Sequence, residues 1–266
     1  MDSPPAVSGG TVPTTGTVPT VTVLTTGIDW LLDQCGAADG SPVPSRVVLD
    51  LGGGTGGQAV RLAGAGHRVT VVDPSLDALA ALARRAADAG VADQLRGIQG
   101  DAENLADLVP AQSVDLVLCH GVLEVVDDPA EALAAVHRVL RPGGRLSLLV
   151  AQRHAAVLAR VGSGQLRSAL HLVRDPDGRW GSGDPLQRRF DLDGVADLLE
   201  AGGFTVHEVE GVRVFTDLVP RTALTDSSAV ALLGELEQHA SNADAFLDIA
   251  AHLHVHAGRA AEGDHA

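Results

Sequence analysis

The sequence predicts an α/β fold built on a doubly wound sheet, mostly parallel with an antiparallel final strand. Three observations predict it. Apolar runs without strict alternation read as strands buried on both faces of a parallel sheet. Helical stretches of good helix formers separate these runs in turn, joined by short loops. The first strand, "RVVLDL", runs straight into a loop almost wholly of glycine, "GGGTGG" (52–57). In an open α/β sheet such a turn lies where a ligand rests on the backbone near a helix N-terminus. Together these describe a Rossmann-like architecture.

In chain order, residues 1–24 are rich in Pro, Thr, Ser and Gly, lack periodic hydrophobicity, and read as a disordered leader. One domain is expected over 25–259, opening with a short helix at 27–34. Strands are expected at 46–51, 68–73, 95–101, 114–120 and 144–150, and helices at 56–66, 75–90 and 128–140. Gly66, Gly90 and Gly143 stand at or just beyond the helix ends, and Pro142 helps stop the third helix. After Val150 the pattern loosens. Residues 151–190 carry Gly162, Gly164, Pro176, Gly178, Gly181, Gly183 and Pro185, and are expected to form either a lid or a partly disordered insertion. A helix (191–203), a strand (204–217), two helices (227–240 and 243–253) and a last strand (252–258) complete the domain, and 260–266 read as a frayed tail.

A hydrophobic fraction of 45% over 266 residues is enough for a full core without disulfide staples. The two cysteines, Cys35 and Cys119, form no CxxC or zinc spacing, so neither a metal nor a disulfide framework is expected, and a reducing compartment fits. The first residues have no basic and apolar signal pattern, and no apolar run approaches the ~18 residues of a membrane span. A cytoplasmic protein without membrane contact is expected. The net charge of −15 opposes nucleic acid unless basic groups cluster. The chain has no lysine, and ten of its 19 arginines lie between Arg138 and Arg189, where the acids are only Asp175, Asp177 and Asp184. That is either ordinary surface charge or a local basic face on an acidic body.

Gly52, Gly54 and Gly57 satisfy the dinucleotide pattern GxGxxG, which leaves an NAD-dependent oxidoreductase open. Two acids sharpen the reading. Asp73, about 20 residues past the loop, stands where a carboxylate accepts both ribose hydroxyls of a nucleoside. Asp50, just before the glycines, would repel a pyrophosphate and attract a cationic amino-acid group. The pair points to a positively charged nucleoside such as S-adenosyl-L-methionine.

At these residues the chain resembles the class I S-adenosylmethionine-dependent methyltransferases. "VLDLGGGTG" (48–56) is similar to their first motif, followed in order by "VVDPS" (71–75), "GDAENL" (100–105), "VDLVLCHGVLEVVDDP" (114–129) and "LRPGGRLSLLV" (140–150). The resemblance covers roughly 28–257. "HGVLEVVDDP", "GVRVFTD" (211–217) and the closing "HLHVHAGR" are most similar to the SmtA-like tRNA 5-carboxymethoxyuridine methyltransferases, which esterify the carboxylate of a modified wobble uridine. The resemblance implies cofactor contacts from Asp50, Gly52, Gly53, Gly54 and Asp73, from Asp101 and Ala102 beside the adenine, and from His120 at the site mouth. It makes Arg213 the candidate to meet an anionic substrate group.

An ionised carboxylate nucleophile needs no general base at neutral pH. An amine or hydroxyl does, and His120 and His154 are then the first candidates; no catalytic residue is assigned. Glu124, one helical turn past His120, reads equally as site or packing residue. The substrate is thus tRNA or a small metabolite entering beneath 151–190; a non-catalytic S-adenosylmethionine-binding protein is the remaining alternative. His252, His254 and His256 alternate and share a face of a strand. That permits metal ligation, but likeness to the family's final strand implies a structural role, and no metal is expected. Glu235 and Glu237 read as a solvated helix face.

Overall fold

The computed structural model describes residues 45–224 and 226–261. The leader (1–24), the short helix at 27–34, Cys35 and most of the tail lie outside the described residues.

The first half alternates as expected, with one short unexpected helix, α3: β1 (Val47–Leu51), α1 (Gly57–Gly64), β2 (Arg68–Asp73), α2 (Leu76–Asp88), β3 (Leu95–Gln99), α3 (Leu105–Leu108), β4 (Val114–His120), α4 (Pro129–Val139) and β5 (Leu140–Ala151). Helix starts follow local chemistry. Ser75 Oγ accepts from the Ala78 amide at 3.2 Å. Asp128 accepts from the Ala130 amide at 2.8 Å, with Pro129 in the first turn. The second half holds α5 (Arg153–Gly162), α6 (Leu166–Arg174), α7 (Leu192–Ala201), β6 (Phe204–Val212), α8 (Ser227–Ser241), α9 (Asp244–Leu247) and β7 (His252–Arg259).

The sheet runs β3-β2-β1-β4-β5-β7-β6. Strands β1 to β5 pair in parallel, and β7 lies antiparallel between β5 and β6. Strand order reverses between β1 and β4, so the glycine loop after β1 opens at the switch point. Alternate residues feed two cores. Val48, Val69, Val71, Leu116 and Leu118 pack with Leu62 and Leu82 on one face. Leu49, Leu51, Val117, Leu133, Leu148, Leu199 and Val255 pack on the other. A small third cluster gathers Val214, Ala240 and Ala250 with Phe215 and Phe246.

Three local expectations change, and 151–190 takes a definite form. Strand β5 begins at Leu140, because Leu140 already pairs with Val114 across a register shift. Residues 151–190, expected to be a lid or a partly disordered insertion, hold α5 and α6 and are tied to the sheet by a parallel bridge from Gln152 to Phe190. The helix expected over 243–253 stops at Leu247, because His252 and Leu253 are drawn into pairing with β5 and β6. Strand β6 ends at Val212, and 213–217 turn away instead of continuing it.

Candidate active site

Strand β1 delivers Asp50 and Leu51 to the carboxyl edge of the sheet, and the chain then turns sharply. Gly52 has φ +69°, and a Cβ there would stand 2.6 Å from Val122 Cγ2. A Cβ on Gly53 would fall 2.4 Å from Asp50 Oδ2, so the loop crosses directly over that carboxylate. Asp73, at the end of β2, holds the same loop. Its Oδ2 accepts from the Gly54 amide at 2.8 Å and its Oδ1 from the Ser75 amide at 2.9 Å.

Asp50 and Asp73 are both buried. Burial, and next the Asp73 charge, push the Asp50 carboxyl up to about 7. Two buried acids beneath a glycine loop form a site that a cation relieves.

A cavity of about 370 Å³ opens beside this pair, within the ~300–1,000 Å³ of small-molecule sites. Gly52 and Asp73 line one side, Asp101 and Ala102 a second, and Gly121 and Val122 a third. Asp101 also holds its own loop: its Oδ1 accepts from the Glu103 amide at 3.0 Å and the Asn104 amide at 3.2 Å. The sequence reading overlooked Val125 and Val126, which line the cavity mouth. Their signal was the apolar run "GVLEVV" after a strand end. The predicted residues Gly52, Asp73, Asp101 and Ala102 therefore meet around one cavity, with Asp50 tucked beneath the loop. Gly53 and Gly54 belong to the same loop, Gly53 over Asp50 and Gly54 held by Asp73, whereas His120 and Arg213 lie outside the cavity lining.

His120 ends β4, next to the lining residue Gly121, but its Nε2 lies 2.8 Å from Ser147 Oγ. Its ring stands edge-on to His254 at 5.6 Å. Burial, then His254 and His256, hold His120 down to about 3, so it is neutral at physiological pH. His154 is half exposed, 3.9 Å from Asp248. Arg213 lines a second cavity of about 240 Å³ with Gln152, Ala155, Leu186, Arg189 and Asp217. It has φ +60°, and its guanidinium pairs with Asp217.

Glu124 ties the loop after β4 to Ala151, which lines the second cavity. It is buried, its Oε1 accepts from the Ala151 amide at 2.6 Å, and its carbonyl accepts from the Gln187 amide at 2.8 Å. Arg188 donates to the carbonyls of Leu123, Val126 and Asp127. The segment after α6 thereby fastens the loop that forms the first cavity's mouth. Arg189 and Asp184 form a buried two-point pair at 2.7 and 3.1 Å, with Trp180 stacked against Arg189.

Glu237 corrects the sequence reading outright. It is 2% exposed rather than solvated. Its carboxylate accepts from the amides of Val214, Phe215 and Thr216 at 2.8, 3.0 and 2.7 Å, and from Thr216 Oγ1 at 2.6 Å. It sets the turn that presents Arg213. The signal was the spacing Leu233, Glu237, Ala240 on one helix face.

A family described as "Methyltransferase domain" matches residues 49–148. The chain is 32% identical over 212 residues to the tRNA 5-carboxymethoxyuridine methyltransferase of Escherichia coli (strain K12), covering 78% of each chain. The chain belongs to the S-adenosylmethionine-dependent methyltransferases, in the family of the tRNA 5-carboxymethoxyuridine methyltransferases. A ubiquinone biosynthesis O-methyltransferase of Pseudomonas aeruginosa (strain UCBPP-PA14) is 34% identical over 127 residues, 48% of this chain and 51% of that one. The fold of this methyltransferase matches that of an S-adenosylmethionine-dependent methyltransferase from Mesorhizobium loti, with TM-score 0.58, 20% identity, and 88% and 96% of the two chains covered. The cofactor of the methyltransferase is S-adenosyl-L-methionine, and the site's chemistry fits it. The cation-seeking Asp50–Asp73 pair suits a sulfonium nucleoside far better than a pyrophosphate. No helix among the described residues is long and apolar enough to cross a membrane.

Proposed function

We propose that this methyltransferase esterifies the carboxylate of 5-carboxymethoxyuridine in tRNA, acting in the cytoplasm. The observation that carries the reading is Arg213 on the wall of the second cavity. Its partly exposed guanidinium suits an anionic substrate, which would take the place of its partner Asp217. The bound cofactor supplies a methyl group activated by a sulfonium. Asp73 would receive the ribose hydroxyls with the oxygen lone pairs that its two amide bonds leave open. Asp50 would favour the amino-acid cation. Ala102 and Val122 would hold the adenine, with Asp101 beside it.

The chain's work is to orient and to exclude water. Glu124 and Arg188 fasten the cavity mouth against the α5–α6 segment, and Glu237 holds Arg213. A carboxylate nucleophile makes no demand for a base, which agrees with His120 being neutral and engaged with Ser147. A small-molecule substrate is the second reading. It is favoured by the apolar lining of the second cavity beneath α5, from Ala155, Leu158, Leu186 and Leu218.

Nucleoside mass spectrometry tests the choice. The protein and methyl-labelled S-adenosylmethionine are incubated with tRNA carrying 5-carboxymethoxyuridine and, separately, with a tRNA-free metabolite extract. A labelled methyl ester on the uridine is the expected result. Label confined to a metabolite replaces tRNA by the second reading.

A further inference from the structure

On the α1–α2 side of the sheet, away from the proposed cofactor cavity, strands β5, β7 and β6 bring polar side chains together in the interior. Strand parity causes this. Leu253, Val255 and Ala257 of β7 point into the opposite core, so His254 and His256 share this face. The antiparallel register sets Glu210 opposite His254 and Glu208 opposite His256. Ser147 of β5 lies opposite His256.

Three atoms of this group face one another. His256 Nε2 lies 3.2 Å from His254 Nδ1. Glu210 Oε2 lies 3.3 Å from His254 Nδ1 and 3.5 Å from His256 Nε2. These distances describe the face of a tetrahedron. A zinc ion bound by nitrogen and oxygen at about 2.0–2.1 Å separates its ligand atoms by about 3.3–3.4 Å. Among the described residues, no other group of three such donors lies this close together.

The surroundings orient the same atoms. Ser147 Oγ lies 2.7 Å from His254 Nε2 and 2.8 Å from His120 Nε2. When Ser147 donates to His120 it accepts the His254 Nε2–H, and the Nδ1 lone pair is left toward Glu210. Glu208 Oε2 lies 3.7 Å from His256 Nδ1, on the far side of that ring. A hydroxyl hydrogen-bonded behind the His254 ring is the kind of outer partner that fixes a ligating histidine, and Glu208 places a carboxylate on the corresponding side of His256. Glu210 is nine-tenths buried, and its Oε2 makes no hydrogen bond. A proton shared by His254 and His256 leaves Glu210 Oε2 without a donor, whereas one cation meets all three atoms.

We propose that Glu210, His254 and His256 bind a single divalent transition-metal ion, zinc being the best match to the two-nitrogen, one-oxygen donor set and its spacing. The ion fastens the edge strand β6 to β7. Through Ser147 it also sets His120, whose neighbour Gly121 lines the cofactor cavity. The site is independent of the substrate proposed above.

The test uses the full chain without a histidine tag, stripped with a chelator and reloaded with Zn²⁺. Elemental analysis after dialysis should give one equivalent of zinc. It should fall below a tenth of an equivalent in Glu210→Gln and His256→Asn, and stay at one in His154→Asn, which removes an exposed histidine. Zinc in large excess over its Kd should raise the Tm of the parent protein by about 5–10 °C. Should a variant fail to fold, Co²⁺ bound to the parent protein decides: an intense tetrahedral visible spectrum supports the site, and a weak octahedral one overturns it. Less than a tenth of an equivalent in the parent protein overturns the proposal, as does equal loading of the folded variants.

Discussion

Asp50 is the residue where electrostatics decide most. Its folded value of about 7 lies above its ordinary 3.8. The stability it contributes to the ligand-free protein is therefore fully present below pH 4 and lost as pH rises through 7, up to about 4 kcal/mol in all. Asp50→Asn should flatten the dependence of Tm on pH between 5 and 8. A cationic ligand reverses the preference by favouring the ionised form. S-adenosylhomocysteine should thus bind about tenfold tighter at pH 8 than at pH 6, releasing a proton near pH 7. Calorimetry in buffers of different ionisation enthalpy reads that proton, and none released would remove Asp50 from the cation's side of the site. Asp73 holds the Gly54 amide, and we propose that it also accepts the ribose. Asp73→Ala should weaken cofactor binding by about 2–4 kcal/mol, measured as Kd; unchanged affinity rejects its role. Both acids were legible in the sequence, Asp50 at a strand end followed by glycines and Asp73 at the end of the next strand about 20 residues past the loop. His120 was legible as a strand end only. Its partner Ser147 comes from a strand 27 residues away, a distance that no local pattern spans.

At the level of elements, the turn after β6 shows how a helix positions a loop. Arg213 occupies a left-handed conformation that costs a non-glycine residue ~1 kcal/mol or more, and it persists because Glu237 of α8 takes three successive amides beyond it. Glu237→Ala should leave those amides unsatisfied in a buried place and destabilise the protein by about 2–4 kcal/mol in denaturant titration. It should also raise KM for the substrate in the same direction as Arg213→Ala. Arg213→Ala itself should raise KM about tenfold while the cofactor Kd stays unchanged; loss of cofactor affinity instead would take Arg213 out of the substrate site. The α5–α6 segment was opaque in the sequence because its glycines, prolines and arginines suggest irregular chain. Its order comes from Arg153, which donates to the carbonyls of Leu172 and Pro176, and from the buried Arg189–Asp184 pair. Such contacts have no sequence period.

Across the whole molecule, ligand and sheet act together. The glycine loop, the β2 end and the β3–β4 loops are separate stretches of chain that meet only at the switch point. A ligand bridging them should stabilise the fold as a unit. S-adenosylhomocysteine at about a hundred times its Kd should raise Tm by roughly 5–10 °C, while NADH at the same concentration should not. A shift with NADH alone would contradict the charge argument made for Asp50 and Asp73. By itself the sequence determined the alternation of strands and helices, the parallel half of the sheet, the glycine loop and its two acids. Each of these is written in neighbouring residues, through apolar period, caps and turn chemistry. Only the tertiary structure decided which polar groups enter the interior. Glu237 is buried because distant amides need its oxygens. His254, His256 and Glu210 converge because antiparallel register sets β7 against β6. Burying a charged or polar side chain is unfavourable until its partners arrive, and those partners come from elsewhere in the chain.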